Sequence, residues 1–299
     1  MLNYAQLGKE LYDLKKPREF RRYLNFVARA YLHKARLRDL EDFFASDPAL
    51  SRLAQIYPYF YEQPTRAFFY NKSKFKERAQ IVKNHVKYLT ERVKEDVLAD
   101  IYAKKPRILW QSKDEGEPLI LKLAFHKGFR KEGLLALLLD CPAGGLYKTI
   151  FWLSPNEADE PSLYIGALQG PHFEGAKEAV KQITKRCHAY RTKNLILHAT
   201  QEFARAMGVS RIYAVTNYGY YAMNHLRADR KLKTDFGDFW AEAGGTPCED
   251  KRFYSLPLIE ARKSMDEIQA SKRASYRRRY ELLDEIDGSI AASLREICK

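Results

Sequence analysis

The sequence changes character near residue 106, and this change restricts the fold class more than any other feature. Up to residue 105, apolar side chains recur every three or four positions, which predicts amphipathic helices. Beyond it, short apolar runs alternate with turn residues, as is typical of antiparallel strands. We therefore predict an α+β protein with a helical N-terminal region (1–105), a core of mixed, mostly antiparallel sheet with flanking helices (106–260), and a basic helical tail packed on that core (261–299).

Within the N-terminal region, Asp47-Pro48 is typical of a helix cap followed by proline at the first helical position. One long basic helix is predicted over residues 73–102. An earlier helix is predicted to bury one apolar face, made of Phe20, Leu24, Val27, Ala28 and Tyr31. In the core, we predict strands at 119–125, 134–140, 146–153, 163–168, 211–216 and 253–256, and helices at 174–188 and 194–207.

The composition limits partners and location. The chain has 52 Lys and Arg against 38 Asp and Glu, a net charge of +14, which favours nucleic acid, acidic membranes, phosphorylated cofactors or acidic proteins as partners. Because no apolar run approaches ~20 residues, we predict no transmembrane segment. The N-terminus lacks the pattern of a signal peptide, so we expect a cytoplasmic protein. The four cysteines are far apart and are expected to be reduced thiols, and no histidine or cysteine spacing predicts a metal site.

The stretch 164–184 is the strongest candidate for anion binding. A predicted strand ends at Gln169-Gly170, and Gly175-Ala176 then begins a helix that carries Lys177. Free backbone N–H groups at a helix start favour an anion, and small residues allow a phosphate or a pantetheine arm to approach. The alternative is that these glycines only form a tight turn.

The stretch 211–224 follows with a second strand and a polar aromatic loop. Strand, helical connection and strand together resemble the acyl-CoA-dependent N-acetyltransferase (GNAT) fold, in which CoA enters between two splayed strands. That resemblance implies that Asn217 helps to bind the cofactor. It also implies that a tyrosine protonates the leaving thiolate; Tyr218, Tyr220 and Tyr221 are available, and we place Tyr218 and Tyr221 first. Acyl-CoA or an acyl-carrier protein would then be a co-substrate, and no bound cofactor is required.

The glycine signature of that fold is not intact here, because His172 and Glu174 stand where glycines belong. His172, in the loop after Gln169-Gly170, becomes one candidate base. Glu132, beside Lys131, is the other, since burial would raise the pKa of its carboxyl into a useful range. We assign Lys131 to substrate binding. The alternative is a solvated turn with an ion pair.

Two further stretches have two interpretations each. Phe239 and Trp240 are assigned to a substrate cleft, with a position at the edge of the core as the alternative. The basic stretch 271–280 (SKRASYRRRY) either contacts a membrane or nucleic acid, or is one face of a helix docked on the core.

Several of these motifs, in this order, resemble the bacterial VirK/YbjX family of DUF535 proteins over residues 55–290. The motifs are Glu77-Arg78, His85 to Leu89, Lys131 to Gly133, Ile165 to Gly170, Thr184-Lys185, Ala214 to Asn217, Phe239-Trp240 and Ser271 to Tyr280. The resemblance implies a Gram-negative cytoplasmic protein linked to virulence, envelope remodelling and antimicrobial-peptide resistance. It implies no particular reaction, so we carry two hypotheses: a GNAT-like acyltransferase acting on an amine or hydroxyl of an envelope-related or peptide substrate, and a non-enzymatic protein that binds membrane, nucleic acid or an acidic partner through its basic surface.

Overall fold

A computed structural model describes residues 2–113, 117–224 and 235–299 of the chain. Within these ranges it contains eleven α-helices and one eight-stranded sheet, so the α+β prediction is confirmed. The helices before the sheet are α1 (Tyr4–Leu11), α2 (Pro17–Leu32), α3 (Lys34–Ala45), α4 (Pro48–Ile56), α5 (Tyr59–Glu62), α6 (Phe75–Arg92) and α7 (Glu95–Tyr102).

The helical signals in the sequence are right in kind but wrong in two details. Asp47 caps α4 as predicted, because its carboxylate accepts the N–H groups of Ala49 and Leu50. The long helix predicted over 73–102 is instead α6 and α7. Val93 interrupts it in extended conformation, because it pairs with Cys298 near the end of the chain.

The buried face of α2 is also not the predicted one. Phe26 and Ala30 are its buried residues. Phe20, Leu24 and Tyr31, which the periodicity placed in the core, are 45–52% exposed. The helix has apolar residues on two sides, and packing against the rest of the N-terminal region selects the side that the sequence pattern did not.

The sheet has the strand order β1-β2-β3-β4-β5-β6-β8-β7. Its strands are β1 (Arg107–Gln111), β2 (Ile120–Ala124), β3 (Leu135–Cys141), β4 (Gly144–Pro155), β5 (Pro161–Gln169), β6 (Arg211–Val215), β7 (Thr246–Pro247) and β8 (Phe253–Leu256). Neighbouring strands are antiparallel except β5 and β6, which are parallel and are joined by α8 (Ala176–Arg186) and α9 (Thr192–Ala206). A parallel pair needs such a crossover because its strands run in the same direction.

Helices cover both faces of the central strands. Along β4, Thr149 and Phe151 contact α9, whereas Ser154 accepts a hydrogen bond from Asn84 on α6. This alternation is expected because successive side chains of a strand point to opposite faces. After a short helix, α10 (Phe236–Glu242), the chain ends in α11 (Ala270–Ile297), which packs on α9 and β1.

One large cluster of buried side chains includes residues from the N-terminal helices, the sheet and α11. The tail helix contributes to it with Leu283, Ile286, Ile290, Leu294 and Ile297. Among the described helices, none combines the length and the apolar character needed to cross a bilayer.

Candidate functional site

The one parallel strand pair does not stay paired to its end. Hydrogen-bonded pairing between β5 and β6 covers Ser162 to Ile165 and Arg211 to Ala214. Beyond Ile165, β5 continues to Gln169 with β4 as its paired neighbour, while Val215 of β6 pairs with β8. The carboxyl end of β5 thus extends past its pairing with β6, and the ends of parallel strands are common places for ligands.

The segment before β3 lies over β5 at this point. A Cβ atom on Gly166 would be 1.8 Å from the carbonyl oxygen of Glu132, so only glycine leaves room for that backbone. Gly133 is in a similar position against the backbone of Phe151, 2.5 Å from its carbonyl oxygen. These two glycines allow the main chain of Glu132 to lie directly on the sheet, which directs its side chain toward the end of β5.

Glu132, Gln169 and Tyr220 form the centre of the candidate site, which we call the Glu132 cluster. Oε1 of Glu132 accepts a hydrogen bond of 2.7 Å from the Tyr220 hydroxyl and one of 3.1 Å from Nε2 of Gln169. Both bonds end on the same oxygen, so Oε2 takes part in neither. Gln169 comes from the end of β5 and Tyr220 from the loop after β6, so the cluster joins the two strands where their pairing has stopped.

Burial makes the Glu132 carboxyl a weaker acid than that of an exposed glutamate. The side chain is only 5% exposed, and this burial raises the pKa of the carboxyl. The hydrogen bonds from Tyr220 and Gln169 and the charges of Lys131 and Lys148 act in the opposite direction but do not cancel the effect of burial. A carboxyl whose pKa moves from the acid range toward neutrality is suited to accepting and returning a proton.

Lys131 is half-buried, and burial lowers the pKa of its amine, with the neighbouring Arg130 acting in the same direction. The backbone on either side of it is fixed. Nε2 of Gln63 donates to the Arg130 carbonyl at 2.9 Å, and the Arg130 guanidinium forms a 2.7 Å ion pair with the fully buried Glu62. The helical N-terminal region therefore positions the backbone that carries Glu132.

Tyr220, rather than the two tyrosines we placed first, reaches the carboxylate. Tyr218 is 45% exposed, and its ring faces the amine of Lys72. Tyr221 packs edge-on against Tyr220 and Phe68. Two effects raise the pKa of the Tyr220 hydroxyl: its own burial and the nearby charge of Glu132. The hydroxyl therefore remains a proton donor at neutral pH.

The predicted cofactor residues after β5 lie in a different neighbourhood. Gly170 approaches the ring of Tyr147 on β4, and Phe173 packs on Gly144 at the start of β4. The loop therefore turns over β4, the neighbour of β5 on the side away from β6. His172 is exposed on this loop.

Gly175 begins α8 with a φ of 76°, and no side chain caps the helix start. Ala176 and the exposed Lys177 form its first turn, but the N–H of Ala176 donates to the Phe173 carbonyl and that of Glu178 to the Gly175 carbonyl, so the chain itself uses part of the N–H groups expected to be free there. A ligand using both this turn and the Glu132 cluster would have to extend along the end of β5.

Three other predicted site residues have structural contacts. Oδ1 of Asn217 accepts the N–H of Phe236 and so fixes the start of α10. Trp240 is completely buried and donates its indole N–H to the Val215 carbonyl at 2.9 Å, and Phe239 is 6% exposed. Both rings belong to the core, which was the alternative interpretation, because α10 packs Trp240 against the end of β6 and Phe239 against Trp240.

A family model described as "Protein of unknown function (DUF535)" matches residues 15–292, almost the whole chain. The chain belongs to the DUF535 family. Two motifs on which the resemblance was recognised, Lys131 to Gly133 and Ile165 to Gly170, are distant in sequence and meet at the Glu132 cluster. Residues that carry the DUF535 resemblance therefore lie in the candidate site that the geometry indicates.

Curated relatives of this DUF535 chain have names without an assigned reaction. The chain is 34% identical to "Uncharacterized protein YbjX" of Escherichia coli K12 over 182 residues, which are 60% of this chain and 55% of the relative. It is 33% identical to an "Uncharacterized protein" of Haemophilus influenzae over 125 residues, 42% and 41% of the two chains. It is 26% identical to "Membrane protein LapB" of Mannheimia haemolytica over 216 residues, 71% and 87% of the two chains. The matches thus span about half the length of the first two relatives, and no solved structure matches.

Proposed function

We propose that this DUF535 chain is a GNAT-like acyltransferase. It would move an acyl group from a CoA or carrier-protein thioester to an amine or hydroxyl of an envelope-related or peptide substrate, and would act in the cytoplasm, where such thioesters are made. The observation that carries the proposal is the buried Glu132, hydrogen-bonded to Tyr220 and Gln169 where the pairing of β5 and β6 stops. The envelope-related acceptor rests on the family resemblance alone.

In the proposed reaction, Glu132 and Tyr220 would make the proton transfers. The acceptor N–H or O–H gives its proton to the Glu132 carboxylate as its nitrogen or oxygen attacks the thioester carbonyl. When the C–S bond breaks, the thiolate takes the proton of the Tyr220 hydroxyl. The phenolate then recovers a proton from Glu132 through their 2.7 Å hydrogen bond, so acceptor and thioester become an amide or ester and a free thiol. An anionic group of the donor would bind at the start of α8, where no side chain caps the helix and Lys177 is exposed.

The first test is binding and thiol release. Acyl-CoA at millimolar concentration should raise the melting temperature, and a thiol-reactive dye should detect slow thiol release that increases with a suitable amine. Glu132→Gln should lower this rate by about a hundredfold to ten-thousandfold, the usual range for a general base, and Tyr220→Phe should lower it as well. The matched control is Glu157→Gln, on the exposed turn between β4 and β5 at the end of β5 opposite Gln169, which should release thiol at the wild-type rate.

The pH dependence gives a second readout. Because burial raises the pKa of Glu132, the rate should rise with pH through a titration above the ordinary range of a carboxyl group. Absence of both thermal stabilisation and thiol release, or a Glu132→Gln protein as active as the wild type, would refute the proposal.

A second candidate function is binding of an anionic partner through α11. Between Ile268 and Tyr280 the chain has five Lys or Arg and no acidic residue, and Arg277 and Arg278 are exposed. Arg278 also lines a cavity of about 280 Å³ together with Trp110 and Arg186. This candidate predicts salt-sensitive association that Arg277→Ala and Arg278→Ala weaken. Arg279 is not suited to the test because its guanidinium donates to the His188 carbonyl.

A further inference from the structure

An apolar stripe lies exposed along α2. Eight large hydrophobic side chains are exposed in the part of the chain that the structure describes, and four of them belong to this one helix. They are Phe20 at 45%, Leu24 at 49%, Tyr31 at 52% and Leu32 at 78% exposure. At about 100° per residue, Phe20, Leu24 and Tyr31 project within about 40° of one another and Leu32 about 100° further round, so all four point at least about 120° away from the buried Phe26. We call these four residues the α2 stripe.

The two aromatic rings of the stripe pack against neighbouring tyrosine rings. Phe20 packs against Tyr23 with ring centroids 6.2 Å apart, and Tyr31 packs edge-on against the buried Tyr4 at 5.9 Å. The stripe is therefore held in position on a folded surface and does not depend on a partner for its shape. Exposed apolar side chains that are contiguous, rather than scattered singly, usually mark a contact surface.

The stripe is surrounded by positive charge. From Lys15 to Arg36 the chain has eight Lys or Arg and a single acidic residue, Glu19, which is paired with Arg22 on the same helix. Within the described ranges, Arg18, Arg21 and Lys34 are exposed and form no ion pair. A helix that combines an apolar face with flanking basic side chains is typical of helices that lie in the interface of an anionic bilayer.

We propose that α2 attaches this protein peripherally to anionic lipid bilayers. The α2 stripe enters the boundary between headgroups and acyl chains, while Arg18, Arg21 and Lys34 contact lipid phosphates. A second copy of the chain fits less well, because a symmetric contact through α2 would bring the same positive charges together. Nucleic acid would satisfy the arginines but would leave the apolar stripe in water. This attachment does not depend on the Glu132 cluster.

Vesicle co-sedimentation of the full chain tests the proposal. The protein should sediment with vesicles of phosphatidylcholine mixed with phosphatidylglycerol and remain mostly in solution with phosphatidylcholine alone. Leu24→Gln with Leu32→Gln should weaken binding by about tenfold or more, since each leucine would otherwise bury apolar surface. Arg18→Gln with Arg21→Gln should remove most of the preference for the anionic lipid.

Controls separate this surface from the rest of the chain. Ile259→Gln removes an exposed apolar side chain outside α2 and should leave binding unchanged. Arg277→Ala with Arg278→Ala tests whether α11 is the true contact. Because the altered side chains are exposed, each variant should retain the wild-type melting temperature.

A spectroscopic readout on Phe20→Trp reports insertion directly. The three native tryptophans, Trp110, Trp152 and Trp240, are at most 3% exposed, so a vesicle-induced blue shift beyond that of the wild type would come from position 20. The proposal is overturned if the protein ignores anionic vesicles or if the α2 variants bind as the wild type does. It is also overturned if only the α11 variants lose binding, or if the α2 stripe instead mediates self-association that the leucine variants abolish.

Discussion

His198 makes a pH-dependent connection between the core and the C-terminal helix. The imidazole lies on α9 and is 4% exposed. Its Nδ1 is 3.2 Å from Oε2 of Glu260, and its Nε2 is 2.8 Å from Oδ1 of Asp287 on α11. Burial alone would lower the pKa of this histidine, but its hydrogen bonds and charge interactions with the two carboxylates raise it to about 9. His198 is therefore positively charged at neutral pH in the folded chain.

The raised pKa fixes the sign and the size of the effect on stability. In the unfolded chain the pKa of a histidine is about 6.5, so between about 6.5 and 9 the folded state holds a proton that the unfolded state does not. The contribution of His198 is complete below about pH 6.5 and disappears as the pH rises through about 9. A difference of about 2.5 pKa units corresponds to about 3 kcal/mol of unfolding free energy.

Urea denaturation of wild type and His198→Gln, from about pH 6 to pH 10, measures this contribution. Glutamine can still donate one hydrogen bond but has no charge. The variant should therefore be less stable by about 3 kcal/mol at the acid end, and the two proteins should converge above pH 9. The other ionisable groups nearby, such as Glu202, Tyr190 and Arg205, are present in both proteins, so their contributions to the stability largely cancel in the difference.

His172→Gln is the control, because it removes an imidazole on the exposed loop after β5. It should leave the pH dependence of stability as in the wild type. If wild type and His198→Gln lose stability in parallel between pH 6.5 and 9, the histidine is not charged in the folded chain. The assignment of a charged clamp between α9 and α11 would then be wrong.

Further predictions concern backbone space and buried hydrogen bonds. Gly166→Ala should destabilise the chain by about 1–3 kcal/mol in urea denaturation, because the new Cβ would overlap the Glu132 carbonyl oxygen. Its control, Gly288→Ala in α11, meets nothing within 4 Å and should stabilise the chain by about 0.5–1 kcal/mol. Tyr102→Phe removes a hydroxyl that links the buried His85 ring to a backbone carbonyl and should cost about 1–3 kcal/mol; an unchanged urea midpoint would show that this link is dispensable.

The sequence predicts the elements of this fold well where the signal is local. Short apolar runs separated by turn residues predict six of the eight strands, all except β1 and β7, and Asp47 predicts the start of α4. The prediction fails where a contact between residues distant in sequence determines the local structure. The sequence around Val93 does not predict the break between α6 and α7, because the break depends on pairing with Cys298, which is about 200 residues away in sequence. The prediction of the buried face of α2 is wrong for the same reason. Both sides of this helix carry apolar residues, and packing against the rest of the N-terminal region decides which side is buried.

At the candidate site, Glu132 and Gln169 are predictable because a carboxylate before a strand and a glutamine at a strand end are visible in sequence. Which tyrosine contacts Glu132 is not predictable, since the run from Tyr218 to Tyr221 does not reveal which ring faces inward. The structure supplies the reason at Gly219, where a Cβ would lie 2.0 Å from the Arg252 carbonyl oxygen. That close approach fixes the turn and directs Tyr220 toward Glu132. In the sequence, Gly219 between Tyr218 and Tyr220 is the signal that indicates this turn.

Hydrogen bonds and a buried ion pair connect the N-terminal helices to the segment that carries Glu132. Arg29 on α2 donates to the Thr65 carbonyl, and Glu62, three residues earlier, is fully buried and paired with Arg130. Arg130 lies two residues before Glu132 and is further fixed by Gln63. Glu62→Gln would leave the Arg130 guanidinium without its buried charged partner, a change that usually costs several kcal/mol. The helical region is therefore part of what holds the proposed base in place, and a bilayer contact at α2 would be connected to the site through these same few contacts.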